Sequence, residues 1–287
     1  MVKPDFLGIG AQKCASTWLY RMLAAHPEVG VSQEKEVDFF SFHFDHGYQW
    51  YERKFEDCQN KSSAGEISPS YFCEPAVPER VRQYIPDARI LVSFREPIQR
   101  ALSNHRHEVR VGHFTGAELS FEAGLKNNPM YIDQGRYASH LKRWLRYFPS
   151  EQILVLLMDD IEKDPSACAK KVYEFLGVDP AFEPTELLER FNKSYANRSR
   201  KLLGIKDALY NLSRMPGGGW IWKAATSLGL RNLYRNVNKV SSELVIPAPA
   251  ERTLDELRSE FLPEVRELSE LIGRPLDSWL SCLLYTS

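Results

Sequence analysis

Three features of the sequence predict an α/β fold, a central parallel β-sheet flanked by helices on both faces. Short apolar runs of strand length alternate with amphipathic helical stretches from Phe6 to Gly177, and strands buried on both faces read as near-continuous apolar runs. The first run, Phe6 to Ile9, passes through Gly8 and Gly10 to Lys13 and straight into an amphipathic helix. The strongest run, Ala88 to Phe94, ends on Arg95, at the carboxyl end of a strand, where ligands bind in open α/β sheets.

The elements follow in order. Ser16 and Thr17 open the first helix, with Trp18, Leu19, Met22 and Leu23 on one side and His26-Pro27 closing it. Val29 to Val31 is a short strand, followed by the charged and aromatic stretch Ser32 to Phe42. Trp50 to Phe55 is helical; Ala64 to Ser68 is a strand running into the turn Pro69-Ser70. Pro78 to Tyr84 is a helix that precedes the Ala88 to Phe94 strand. Pro97 suits the first turn of the next helix, along which Ile98, Leu102 and Val109 mark one face. Phe121 to Lys126 and Tyr137 to Phe148 are helices, Gln152 to Met158 a buried strand, and Pro165 to Leu176 a helix closed by Gly177. Thr253 to Ile272 is a last amphipathic helix. Together these predict one domain over 1–280, with its core at 5–177, a variable substrate-facing part at 192–280 and an irregular tail at 281–287. A sheet of about five strands is expected.

A chain of 287 residues buries a proper core without staples. The 37 basic and 38 acidic residues nearly cancel, so no global field favours nucleic acid or an anionic membrane, and an anionic ligand needs a local cluster. The same balance argues against long polyanionic acceptors. Cys14, Cys58, Cys73, Cys168 and Cys282 are scattered and never spaced C-x-x-C, which suits a reducing, cytoplasmic compartment and argues against a zinc site. His105 and His107, at i and i+2 on one helix, face different sides, so no metal is expected. The longest apolar run, Ile153 to Met158, is too short to span a bilayer. No signal peptide fits before a first strand so close to Met1.

Strand, glycine turn, lysine, hydroxyl pair and helix N-terminus make an anion cradle around Lys13, Ser16 and Thr17. Unpaired N–H groups and the positive end of the helix dipole favour a phosphate or sulfate there. The order is not G-x-x-x-x-G-K-[ST], because Lys13 follows Ala11-Gln12 and Cys14-Ala15 separate it from the hydroxyls. Arg95 and Ser103, eight residues apart on strand end and helix, form a second candidate site, since a guanidinium chelates phosphate with two parallel bonds. The alternative is that Arg95 pairs with Glu96. Two anion sites at strand ends imply a ligand with two separated phosphates.

These residues carry a resemblance. Phe6 to Leu23 resembles the 5′-phosphosulfate loop of sulfotransferases, and Ile90 to Ser103 resembles their 3′-phosphate strand and helix. Lys35 to Phe40 (KEVDFF) and Gly65 to Phe72 (GEISPSYF) are similar to blocks in the heparan sulfate and carbohydrate branch and its bacterial members. The same order of blocks continues with VPERVRQYIPDARILVSFREPIQRALS from Val77, GRYASHLKRWLRYFPSEQILVL from Gly135, and the later RSRK from Arg198. The resemblance covers roughly 5–177 well and the remainder loosely.

The resemblance implies a P-loop-like sulfotransferase fold, the donor 3′-phosphoadenosine 5′-phosphosulfate (PAPS), the product adenosine 3′,5′-bisphosphate (PAP) and no metal. The acceptor is a hydroxyl or amine of a carbohydrate-like or small molecule. It implies that Lys13, with Cys14, Ala15, Ser16, Thr17 and Trp18, holds the 5′-phosphosulfate, Lys13 neutralising charge on the leaving oxygen. Arg95 and Ser103 take the 3′-phosphate, and Arg198 and Arg200 belong to a loop that closes over the nucleotide. Glu36 is the candidate general base, with Asp38 as the runner-up because it shares a face with Glu36 if the stretch is extended. Glu66 and Tyr71 are candidate substrate contacts. Two positions depart from the family: Ala15 stands where the loop usually has glycine, and Ile67 where several heparan sulfate enzymes carry a lysine. The rivals are a P-loop kinase, for which no Asp ends the ILVSF strand, and a non-catalytic nucleotide-binding scaffold.

Overall fold

The computed structural model describes residues 2–184, 195–197, 239–241 and 245–279. They fall into two compact units, one within 1–101, 130–191 and 252–287, the other within 102–129 and 192–251.

In chain order the elements are β1 (Phe6–Gly10), α1 (Ser16–Ala25), β2 (Val29–Val31), α2 (Phe39–Phe42), α3 (Tyr48–Glu52), β3 (Ser63–Ile67), α4 (Val77–Tyr84) and β4 (Arg89–Phe94). Then come α5 (Pro97–Val111), α6 (Phe121–Asn127), α7 (Met130–Asp133), α8 (Tyr137–Leu145), β5 (Ile153–Leu157), α9 (Met158–Lys163) and α10 (Pro165–Leu176). The short strands β6 (Tyr195–Asn197) and β7 (Lys239–Ser241) and the helix α11 (Glu251–Leu271) complete the series.

The first unit is built on a five-stranded sheet in the order β2-β3-β1-β4-β5, parallel throughout. The chain leaves β1 toward the β2 edge and leaves β4 toward the β5 edge. Loops after two adjacent strands that depart in opposite directions open a crevice at the carboxyl ends of those strands. Lys13 follows β1 and Arg95 follows β4, so the order of strands alone brings both to that crevice.

The two faces of the sheet are covered differently. On one, Trp18, Leu19, Met22 and Leu23 of α1 and Val172, Tyr173 and Leu176 of α10 join Phe6, Leu91 and Leu156 in a single apolar cluster. The Tyr173 hydroxyl ties the two helices by donating to Met22 O at 3.1 Å. Elsewhere in the unit, Tyr137 of α8 stacks on Phe94 with ring centroids 4.6 Å apart, and Trp144 Nε1 donates to Phe72 O at 3.3 Å. The α10 helix starts on an Asp164 cap and ends on Gly177 at φ 71°, as the sequence predicts. The Tyr137 helix stops at Leu145, short of Phe148, and α11 runs through Pro263. Along α11 the buried Leu257, Phe261, Val265 and Leu268 hold the helix in place.

In the second unit, β6 and β7 pair antiparallel. Ser120 caps α6 by accepting the Ala123 N–H at 3.2 Å, and His105 Nε2 lies 2.9 Å from Leu119 O.

Candidate active site

The loop after β1 begins at Gly10, whose φ is 141°. A Cβ there would stand 2.8 Å from the Cβ of Phe72, so only glycine lets the chain turn out of the sheet at this point. Lys13 at φ 67° and Ala15 at φ 68° then place two side-chain-bearing residues in the left-handed region, at a cost of about 1–2 kcal/mol each. Turns of this kind point successive N–H groups toward one concavity that suits an anion. Ser93 holds this shape from β4. Its carbonyl accepts the Ala11 N–H at 2.9 Å, and its hydroxyl donates to Cys14 O and, at 3.3 Å, to Gly10 O.

The first helical bond of α1 runs from Leu19 N–H to Ala15 O at 3.0 Å. The N–H groups of Ser16, Thr17 and Trp18 fall before it, and Ala15 offers no side-chain cap. Three helix-end donors therefore open on the same loop. The Trp18 indole is buried in the α1–α10 cluster, so what it brings to the loop is its backbone N–H. Cys14 is likewise buried, which pushes its thiol up to about 11.

Arg95 and the Lys13 loop are tied together by Tyr137. Its hydroxyl donates to Arg95 O at 2.8 Å and lies 3.7 Å from Cys14 Sγ. The sequence left open a pairing of Arg95 with Glu96. Instead, the Glu96 carboxylate caps α5, accepting the N–H groups of Ile98 at 2.9 Å and Gln99 at 2.7 Å. Among the described residues Arg95 makes no ion pair. It is half-buried. Ser103 sits on α5, also half-buried.

The candidate base segment differs from the sequence expectation. Glu36 and Asp38 lie at φ 66° and 54°, so the stretch is not extended and strand alternation does not put both carboxylates on one face. The segment is moored to β3: Glu36 N–H donates to Ile67 O at 3.2 Å, and Asp38 N–H donates to Ser68 Oγ at 3.0 Å. Glu36 is exposed and ion-paired with Lys35. Asp38 is half-buried; burial pushes its carboxyl up, and Ser70 donates to it at 2.5 Å.

Glu66 and Tyr71 are corrected by the structure. Both are fully buried, so neither presents its side chain to a substrate. The Glu66 carboxylate accepts hydroxyl bonds from Tyr51 and Tyr71, both at 2.7 Å, and from Ser68 at 2.5 Å. Burial outweighs these donors and raises its pKa to about 6. Glu66 thus orients Ser68, and Ser68 orients Asp38. Phe39, Phe40 and Phe72 are core as well. Arg198 and Arg200 lie outside the described residues.

Sequence reasoning missed Ser93, Tyr137 and the Glu96 cap. Ser93 had a signal, being the polar residue of a buried apolar strand; Tyr137 had none. It also missed Cys73, Asp133 and His140, whose ligand-type atoms lie within 4.8 Å of one another. The His140 Nε2 lies 2.9 Å from Asp133 O, and the guanidiniums of Arg100 and Arg143 both act on the Cys73 thiol. Cys73 and Asp133 are half-buried, and the buried His140 Nδ1 has no hydrogen-bond partner among the described residues.

The chain belongs to the sulfotransferase domain family, whose model matches residues 3–202. It is similar to human bifunctional heparan sulfate N-deacetylase/N-sulfotransferase 2, at 29% identity over 271 residues, 86% of this chain and 30% of that protein. It is similar also to mouse heparan sulfate glucosamine 3-O-sulfotransferase 6, at 30% identity over 182 residues, 61% of this chain and 52% of that one. The chain therefore spans under a third of the first relative and about half of the second. Among solved structures, a sulfotransferase from Alicyclobacillus acidocaldarius matches with a TM-score of 0.70 at 24% identity, covering 97% of this chain and 99% of that one. That likeness shows a shared fold, the P-loop-like sulfotransferase fold expected from the sequence. Among the described residues no helix is long and apolar enough to cross a membrane.

Proposed function

We propose that the chain is a sulfotransferase that moves a sulfuryl group from PAPS to a hydroxyl or amine of a carbohydrate-like or small-molecule acceptor. The observation that carries this reading is the pairing, at one crevice, of a left-handed Lys13–Ala15 loop on a helix N-terminus with an arginine that has no ion pair among the described residues. These donors fit a ligand carrying two anionic groups. When bound, PAPS supplies the activated sulfuryl group. The N–H groups of Ser16, Thr17 and Trp18 and the Lys13 ammonium hold the 5′ end and stabilise charge on the departing oxygen. Arg95 holds the 3′-phosphate, with Ser103 assigned beside it on family spacing alone. Glu36 takes the proton from the acceptor, with Asp38 as the second candidate.

The heparan sulfate relatives support a carbohydrate-like acceptor, and the near-zero net charge supports a small one. The family match crosses from one compact unit into the other along the sequence, which supports treating the chain as one functional domain. A reducing, cytoplasmic setting is supported by the free thiols of Cys14, Cys58, Cys73 and Cys168.

Calorimetric titration with PAP, in parallel with ATP and magnesium, tests the donor. PAP is expected to bind without metal, and Lys13→Ala and Arg95→Ala each to weaken it by about tenfold or more. Tighter binding of ATP with magnesium would make the chain a nucleotide phosphotransferase instead.

A further inference from the structure

Cys73, Asp133 and His140 come from three separate stretches: the turn after β3, the end of α7 and the buried side of α8. The spacing arguments against a metal, from C-x-x-C and from His105 and His107, do not reach such a set. Cys73 Sγ, an Asp133 carboxylate oxygen and a ring nitrogen of His140 all lie within 4.8 Å of one another. Tetrahedral zinc ligands stand about 3.3–3.8 Å apart, so side-chain shifts of about 1 Å close the set. The Asp133 side chain is 43% exposed, which gives an ion a way in from solvent.

His140 is 3% exposed. Its Nε2 lies 2.9 Å from Asp133 O. A carbonyl only accepts, so the neutral ring carries its proton on Nε2 and leaves the Nδ1 lone pair buried. Among the described residues nothing donates to that nitrogen. A metal-ligating histidine has this arrangement: one ring N–H fixes the ring on a carbonyl or carboxylate, and the other nitrogen meets the ion.

We infer that Cys73, Asp133 and His140 bind one zinc ion, with water in the fourth position. A thiolate, an imidazole and a carboxylate suit zinc, whereas magnesium and calcium take oxygen ligands. The Cys73 thiol releases its proton to solvent as the Zn–S bond forms, and the thiolate and carboxylate then match the two charges of the ion. Arg143, which donates to Cys73 O at 2.9 Å, and Arg100 both favour the thiolate form, and Glu264 of α11 adds negative charge near His140.

The ion would act as a clip. Cys73 follows Phe72, whose N–H donates to Ile9 O at 2.9 Å and whose ring centroid stands 5.3 Å from that of His140. His140 lies one helical turn after Tyr137, which holds Arg95 O. Zinc would therefore join the wall of the β1 loop to the helix that carries Tyr137. The inference does not rest on the donor reading, which uses no metal.

Cobalt(II) titration of the reduced, chelator-stripped full chain tests the site. One equivalent is expected to give a thiolate-to-cobalt charge-transfer band that zinc removes and magnesium does not. Cys73→Ser should abolish the band, His140→Gln should weaken binding by about tenfold or more, and Cys168→Ser should leave both unchanged. Zinc should raise the melting temperature of wild type and not that of Cys73→Ser. If His140→Gln does not fold, Asp133→Asn, at a half-exposed position, carries the same expectation of weakened binding. Absence of the band in wild type, its survival in Cys73→Ser, or unweakened binding in the His140 or Asp133 variant would overturn the proposal, leaving the His140 nitrogen to a buried water.

Discussion

The loops after β1 and β2 use the same backbone device for opposite chemistry. Each holds two non-glycine residues in the left-handed region with one residue between them, Lys13 and Ala15 in the first, Glu36 and Asp38 in the second. The first is shaped by a serine of β4, runs into the N-terminus of a ten-residue helix, and gathers N–H groups around a lysine. The second is moored by Ser68 just past β3, itself held by a buried glutamate, and carries two carboxylates. Backbone strain in sparsely populated conformations persists only where neighbours over-determine it, and it gathers at functional sites. Here one strained loop collects positive character and the other collects acid, as a transfer reaction needs for its leaving group and its attacking group.

The largest effect is expected from the acidic loop. Glu36→Gln should lower the rate of sulfuryl transfer by about 10²–10⁴-fold with little change in PAP affinity. Asp38→Asn should cost less, its carboxyl being tied to Ser70. Single-turnover rates on both variants check this, and a larger loss at Asp38 would reverse their roles.

A middling effect concerns the mooring. The Glu66 carboxyl has a folded pKa of about 6 against an ordinary 4.5, raised by burial. Below pH 4.5 both states hold the proton; between 4.5 and 6 the native state keeps it while the unfolded chain releases it. Stability from this group is therefore present at low pH and lost as pH rises through that window, by about 2 kcal/mol. Denaturation of wild type and Glu66→Gln at pH 4 and pH 7.5 should show wild type losing about that much relative to the variant. A constant difference between the two would mean that Glu66 does not titrate in this range.

The smallest effect tests the strain itself. Ala15→Gly removes a Cβ penalty of about 1–2 kcal/mol at φ 68° but adds chain entropy of about 0.5–1 kcal/mol to the unfolded state. A net gain of about 0.5 kcal/mol is expected from chemical denaturation. A clear loss would show that the loop relaxes away from the left-handed form.

Much of the fold was legible because its signals are local. The Phe6 and Ala88 runs, the Ser16 helix start, the Pro165 helix and its Gly177 stop each sit within a few residues, where period, capping and glycine chemistry act. The anion loop was legible for the same reason. The shared face for Glu36 and Asp38 was misjudged because neither is a glycine, and a left-handed conformation at such residues is imposed by distant partners, Ile67 O and Ser68 Oγ. The last helix, expected over Thr253 to Ile272, is found as α11 and runs through Pro263, with buried residues on both sides of it.

Local sequence is enough for the alternation of strands and helices, the lysine loop on a helix N-terminus, and the arginine at the end of the strongest strand. Each depends on residues adjacent along the chain. Packing of remote segments made Tyr137 bridge Cys14 and Arg95, put Glu66 under the site rather than along its lining, and took Arg100 out of water. Those outcomes depend on which groups from remote parts of the chain are taken out of water together, and burial is what turns an ordinary glutamate or arginine into a group whose charge must be answered by its neighbours.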